Sequence, residues 1–459
     1  MECSLSYFLL DEKNKEAERG EGKVSIDEQN LYLSPAGGSP MSFSHREIVN
    51  ISEGEYRISI SLNSGEVLVL YDLGYSYEDF IRVLSKLMNQ LTLKDMLMEE
   101  TLKKSGIDAE FSFYDASGTV KQSGRCELMF YETAFVVIPE KGGLSRIPAS
   151  EISEVRDEDY TIIVNVEDGE KLVFSKIGGK FDYARKAFSE LMNDLSLRTQ
   201  STLRDLAPSV NSSVLRKASF LLKDGKAARR SDLDSVSPQL LAELEKKLSI
   251  VGIKESYDFL ASMGQRDRIL IGVKRGLMGS LTGDYLWFLI PIYSLNPEEP
   301  GNIIAMEAGD IPKEDVAAGG VEGQDGGEAE GSDEDKMKSG KKATYFFRIT
   351  SRKDYGSFRS IDDLHCRADS IMKAINRCML DINFRREPIY LPDERLDEPQ
   401  YEKYRFSLQK IPALKMLRQL FIGRVMHSSP EQWKQDVSDL LKFNVSAQDD
   451  ELKWVKKSA

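Results

Sequence analysis

The chain repeats itself. Residues 47–93 lie on residues 151–197 at a constant offset of 104 positions, without a gap. Glu47 and Ile48 fall on Glu151 and Ile152, Tyr56 on Tyr160, Gly65 and Glu66 on Gly169 and Glu170, and Leu68 and Val69 on Leu172 and Val173. Further along, Gly74 meets Gly178, and Leu87, Met88 and Asn89 meet Leu191, Met192 and Asn193. The same register reaches back through Pro35 on Pro139, Gly38 on Gly142 and Gly20 on Gly124. Turn glycines, strand residues and a helix face agree in one register, which duplication explains and chance does not. Two copies of about a hundred residues, the size of a small domain, follow.

Each copy has the same physical pattern. In the second, Thr161 to Val166 alternates towards Asp168 and Gly169, a pair suited to a tight hairpin, and Leu172 to Phe174 returns as the partner strand. Upstream, Glu127 to Ile138 holds two strand-like runs, and the turn at Gly142 and Gly143 leads to Leu144 to Ile147. Downstream, Phe181, Ala184, Phe188, Leu191 and Leu195 recur at helical spacing. The expected unit is a set of antiparallel strands followed by one amphipathic helix.

The order from Arg125 to Leu191, with an apolar pair at Phe135 and Val136, the stretch Ser145 to Val155 (SRIPASEISEV), a DG hairpin and a helix, resembles the pleckstrin-homology-like superfold in its GRAM-type branch. The first copy is similar through Phe43, Glu47, Ile48, Ile51 and Gly65, with Ser44 where the pattern has proline. The resemblance implies bent seven-stranded antiparallel barrels, each closed by its C-terminal helix. It brings no functional residue, because the matching positions are structural. Tandem modules of this kind with acidic tracts occur in chromatin chaperones.

Beyond the repeat, Ser237 and Pro238 read as a helix start, and Leu240, Leu241, Leu244 and Leu248 as one apolar stripe, so 201–266 is expected to be a helical linker. Strand candidates follow at Arg268 to Val273, Tyr285 to Tyr293, Asn302 to Met306 and Thr344 to Ile349. A long helix pattern runs over Ile361 to Ile382. The organisation expected is α+β: PH/GRAM-like copies at 1–104 and 105–200, the linker, a third strand-plus-helix domain of PH-like design at 267–390, and a helical C-terminal region at 391–459. Residues 308–343 interrupt the third domain. There the stretch Gly319 to Lys342, rich in Gly, Asp and Glu, has too few apolar groups to offset ordering entropy, and disorder is expected. In the tail, Ile411 to Met426 and Ser429 to Lys442 both read as helices, the second starting at Ser429, Pro430 and Gln432 as a capping box.

Chemistry is sparsely signalled. The histidines are His45, His365 and His427, and no Cys-x-x-Cys spacing joins Cys3, Cys126, Cys366 and Cys378. His365 and Cys366 point about 100° apart on a helix, so with Cys378 they make a poor ligand set. No Gly-x-Ser-x-Gly elbow is present, and neither Gly276 to Ser280 nor Lys176 to Lys180 has the full spacing of a phosphate loop. Glu47, Glu151, Glu66 and Glu170 fall at repeat turns where carboxylates are ordinarily solvated. No catalytic, cofactor or metal site is assigned. The basic residues after the first strand, Lys13, Lys15, Arg19 and Lys23, are interleaved with Asp11, Glu12, Glu16, Glu18 and Glu21, and the second copy offers only Lys121 and Arg125 there. Interleaving cancels the local field and disfavours a lipid headgroup.

The formal net charge of −13 disfavours nucleic acid, leaving only Lys226, Arg229 and Arg230 as a local basic group. Residues 1–200 carry that whole charge themselves, so a basic protein partner is to be sought there. Four scattered cysteines, no basic-then-apolar start and no apolar run of about 18 residues point to a cytoplasmic chain. The expected function is a non-enzymatic protein-binding scaffold or adaptor. The alternatives are a peripheral protein binding anionic lipid and an enzyme with its site near His365 in the third domain.

Overall fold

The computed structural model describes residues 1–95, 100–276, 283–296, 298–299, 301–308, 343–350, 355–382, 385–427 and 429–446. The chain forms two compact units, Met1–Leu191 with Leu396–Pro412, and Met192–Arg395 with Ala413–Ala459. The architecture is α+β with three antiparallel sheets.

The first unit holds two sheets of seven strands. One comprises β1 (Glu2–Leu10), β2 (Glu16–Ile26), β3 (Asn30–Pro35), β4 (Met41–Ser44), β5 (Ile48–Gly54), β6 (Arg57–Leu62) and β7 (Val67–Tyr71), followed by helix α1 (Tyr77–Asp95). The other comprises β8 (Leu102–Tyr114), β9 (Val120–Tyr131), β10 (Ala134–Pro139), β11 (Ser145–Pro148), β12 (Ile152–Glu158), β13 (Thr161–Val166) and β14 (Lys171–Ser175), followed by α2 (Phe181–Leu206). Their orders, β4-β3-β2-β1-β7-β6-β5 and β11-β10-β9-β8-β14-β13-β12, are the same topology. In each, the two outermost strands are consecutive in sequence. The four Cα steps from Ser44 to Ile48 reach at most about 14 Å, whereas the edges of a flat seven-stranded sheet lie about 29 Å apart. Each sheet must therefore curl until its edges approach, which makes it barrel-like.

The backbone repeats as well as the topology. Glu55 and Tyr56 (φ 51° and 60°) are matched by Asp159 and Tyr160 (46° and 59°), Gly65 (89°) by Gly169 (84°), and Gly74 (54°) by Gly178 (64°). The hairpin turn at Asp168 and Gly169 and the turn before the helix are thus built alike in both copies. Tyr56 meets Tyr77 edge-on at 5.9 Å, and Tyr160 meets Phe181 at 5.5 Å. Inside, Phe80, Ile81 and Leu84 of α1 cover Leu5, Val24, Leu31 and Leu68. In the second copy Phe188 of α2 packs edge-on against Phe130 at 4.8 Å and Phe135 at 5.1 Å.

The copies meet head to tail. The β10–β11 turn of the second lies against α1 of the first, where Asn89 donates to the Gly142 carbonyl at 2.9 Å and accepts from the Leu144 N–H at 2.9 Å. Ser85 accepts from the Gly142 N–H at 3.2 Å. Lys141 reaches Glu78 at 2.7 Å and Glu53 at 3.3 Å, and Arg82 reaches Glu140 at 3.7 Å. After α1, Glu100 is anchored in the second copy, its side chain fully buried against Arg146 at 2.8 Å and the Thr133 N–H at 3.0 Å. Desolvation opposes its ionisation, but Arg146 and the Thr133 donors outweigh it, so the carboxyl sits below its usual range.

The second unit has helices α3 (Ser212–Ser219), α4 (Arg230–Val236), α5 (Pro238–Ile250) and α6 (Lys254–Met263) beside one sheet of six strands. The strands run in the order β15 (Ala228–Arg229), β16 (Leu270–Gly276), β17 (Gly283–Ile292), β18 (Asn302–Ala308), β19 (Ala343–Arg348) and β20 (Phe421–Met426). Its remaining helices are α7 (Ile361–Asp381), the short α8 (Glu387–Tyr390) and α9 (Asp393–Leu396), then α11 (Pro412–Leu420) and α12 (Pro430–Ser446); α10 (Glu402–Lys410) belongs to the first unit. The segment read as a linker is part of this unit's core. Leu203, Leu215, Leu233, Leu240, Leu244 and Tyr257 share one buried cluster with Ile271, Phe288, Ile304 and Phe346. Ser237 caps α5 as read, accepting from the Leu240 N–H at 3.3 Å.

The tail corrects one reading: Ile411 to Met426 is not a single helix. It turns into β20 at Phe421, because Phe421, Ile422 and Val425 bury themselves by pairing antiparallel with β19. The acidic stretch Gly319 to Lys342 lies outside the described residues, as do residues 277–280 of the Gly276 to Ser280 motif.

Asn89 and Asn193 are the same residue at the same repeat position, yet the first is 2% exposed and bridges the seam while the second is exposed. Asn89→Ala leaves two main-chain groups without their partner and should cost about 3 kcal/mol in urea unfolding. Asn193→Ala should stay within about 0.5 kcal/mol. Equal effects would contradict the seam.

Candidate partner-binding surface

A curled sheet still has two edge strands, and an edge strand presents unpaired main-chain groups that invite pairing. Here β5 and β12 are equivalent edges with the same burial pattern, Ile buried at the start and the rest mostly exposed. Each begins with a register shift, at Ile48/Asn50 and Ile152/Glu154. Neither is left unmanaged at its start.

On β5 the manager is α10. Its Tyr404, Phe406 and Ser407 are buried, and it packs on α1. Lys410 donates to the main-chain carbonyls of Ile48 and, at 3.5 Å, Val49. At the other end of the helix Glu402 lies 3.7 Å from Arg46, whose Nε also bonds Asp95 of α1 at 2.7 Å. Desolvation, with no carboxylate contributing, lowers the Lys410 pKa to about 8. A nine-residue helix is thus held on the first copy by apolar contacts at its centre and by charged groups at both ends.

On β12 the exposed residues are Ser153, Glu154, Arg156, Asp157 and Glu158. Asp157 lies 3.8 Å from Arg185, which also holds Asp182 at 3.0 Å, and Glu158 lies 3.7 Å from Arg156. In the first copy the positions of Asp157 and Asp182 are Glu53 and Glu78, which instead receive Lys141 across the seam. The second copy therefore repeats the acidic pair that binds a lysine in the first, and shows it to solvent.

The other singled-out residues are dispersed. His45 is buried, its Nε2 donating to the Asp27 carbonyl at 2.9 Å, and burial lowers its pKa. His427 bonds Thr344 at 3.0 Å and stacks on Trp433. His365 on α7 meets Tyr293 edge-on at 5.7 Å, with Asp362 at 3.8 Å. The described cavity of the second unit, about 420 Å³, is lined by Arg348, Arg367 and their neighbours rather than by His365. Cys3, Cys126, Cys366 and Cys378 are all thiols, and burial raises Cys126 to about 12. Among the described residues no group of three His, Cys, Asp or Glu side chains could hold a metal. Lys176 to Lys180 is a turn into α2, with positive φ at Lys176 and Gly178.

Two carboxylates depart from expectation. Glu151 is buried in a 3₁₀ turn, and Glu170 pairs with Lys121 instead of being solvated. Of the basic residues after the first strand, Arg19 pairs with Glu16 at 2.5 Å and Lys23 with Glu2 at 3.5 Å. Among the described residues no helix is long and apolar enough to cross a membrane.

No protein-family model and no curated protein matches the chain. A solved chain from the structure of the Spt16D Pob3N heterodimer is similar over 36% of this chain and 83% of its own length, at 16% identity and a TM-score of 0.15. A likeness of that size supports no assignment of partner or activity.

Two outcomes test the α10 contact. Phe406→Ala should weaken docking by about 3 kcal/mol, read as faster tryptic cleavage after Arg405 and Lys410 with the second unit still intact. Because the docked lysine has the lower pKa, docking favours the neutral amine. It should strengthen as pH rises from about 8 towards the ordinary value of 10.5 and level off below 8. Amide protection of residues 402–410, corrected for intrinsic exchange, should rise over that range in the native chain and stay flat in Lys410→Met. A fall with pH would contradict the assignment.

Proposed function

We propose that this chain is a non-enzymatic, cytoplasmic protein-binding scaffold whose tandem barrels are of the pleckstrin-homology-like, GRAM-type kind, and that its partner is basic and docks on the second copy. The observation that carries the reading is α10 on β5: one copy already holds a helix of its own chain at an edge strand, using main-chain acceptors and flanking charges. The equivalent edge β12 carries exposed Glu154, Asp157 and Glu158. Main-chain acceptors give affinity there, and the carboxylates select a cationic segment. Hydrogen bonds and ion pairs hold the two copies together in one compact unit, and that suits a scaffold.

The test is a titration of an extended lysine-rich peptide into the full chain at low salt, by calorimetry. Binding should be saturable and should weaken about tenfold in a chain carrying Glu154→Lys, Asp157→Lys and Glu158→Lys. A peptide that binds both chains alike sinks the β12 assignment. Salt-sensitive sedimentation of the native chain with phosphatidylserine vesicles would favour the lipid reading instead.

A further inference from the structure

The second unit gathers arginines at one end of its sheet. By register, Arg229 on β15 pairs with Leu270 at the start of β16, Ile292 near the end of β17 pairs with Asn302, and Asn302 pairs with Arg348 at the end of β19. Arg268 lies two residues before β16, and α7 brings Asp369 to it. Asp369 accepts from Arg229 at 2.5 Å and from Arg268 at 2.9 Å through one oxygen. Arg367 donates through its Nε to the Ile349 carbonyl at 3.5 Å. Arg229, Arg268 and Arg348 thus lie at one end of the strands, and Arg367 is carried by α7 itself.

Between two of them lies the cavity of about 420 Å³. Arg348 and Arg367 line it together with Thr350 and Ser357, and Phe358 and Leu420 supply an apolar wall. The volume falls in the range of about 300 to 1,000 Å³ typical of small-ligand sites. Two guanidinium forks and two hydroxyls are donors suited to an anion with several oxygens. The apolar wall suits an organic body attached to it.

We propose that this cavity binds an organic phosphate monoester, with Arg348 and Arg367 on the phosphoryl oxygens and Phe358 and Leu420 against the ester's apolar group. A doubly charged phosphoryl group matches two guanidinium ions. A carboxylate carries half that charge and is the weaker fit. The ester can reach the site as a free small molecule or as a phosphorylated side chain, which share this chemistry.

The proposal is tested with the full chain by calorimetry at constant ionic strength. Phenyl phosphate should bind saturably. Arg367→Gln, at an exposed position of α7, should weaken it about tenfold, and Arg348→Gln should do the same if that chain folds. Arg216→Gln, exposed on α3, should leave affinity unchanged. Competition by a phosphotyrosine peptide would identify a phosphorylated chain as the source, and failure to compete a free ester; either result is compatible with the site. Absence of saturable binding, equal affinity in Arg367→Gln, or inorganic phosphate binding as tightly as phenyl phosphate would overturn it.

Discussion

A connection of three residues joins the two outermost strands of each seven-stranded sheet, and most of the first unit follows from its shortness. Strands that neighbour in sequence but end the sheet on opposite sides can be joined so briefly only if the sheet curls back on itself. Curling gathers Leu5, Val24, Leu31 and Leu68 into one interior, which a single helix face can then cover. It also sets β5 and β12 at the seam of each barrel as edge strands. The two places at which each copy can be recognised, its edge strand and its closing helix, are consequences of one closure.

Duplication then gives the same parts different work. The β10–β11 turn fits the first helix because it offers the Gly142 and Leu144 main-chain groups to Asn89 and a lysine to two carboxylates. The corresponding turn of the first copy has Gly37 for Lys141 and Pro40 for Leu144. A proline has no N–H to give, and a glycine has no charge. The first copy therefore cannot make this contact through its own turn. What is left over is the acidic pair of Asp157 and Asp182, now held by Arg185 from their own copy.

Much of this was legible. The constant register of glycines and aliphatics announced the duplication, and the pair Asp168 and Gly169 announced the hairpin. Periodicity located α1, α2, α5 and α7. It failed at β20, where Leu414, Leu417, Leu420 and Phe421 sustain a helical pattern up to the residue at which the chain becomes a strand; only pairing with β19 decides that. It was silent on α10, because the sequence from Glu402 to Lys410 does not say against what its Tyr404 and Phe406 are buried. The arginine cavity was illegible for the same reason. Arg348 and Arg367 lie 19 positions apart with no motif joining them, and topology alone brings them together.

The central claim is that the first copy's edge is occupied by the chain itself while the second copy's edge receives a partner. Hydrogen–deuterium exchange of the full chain, with and without a bound basic peptide, tests it most directly. The account predicts added protection across Ile152–Glu158, with Ile48–Gly54 and Glu402–Lys410 unchanged. Protection of Ile48–Gly54 together with release of Glu402–Lys410 would contradict it.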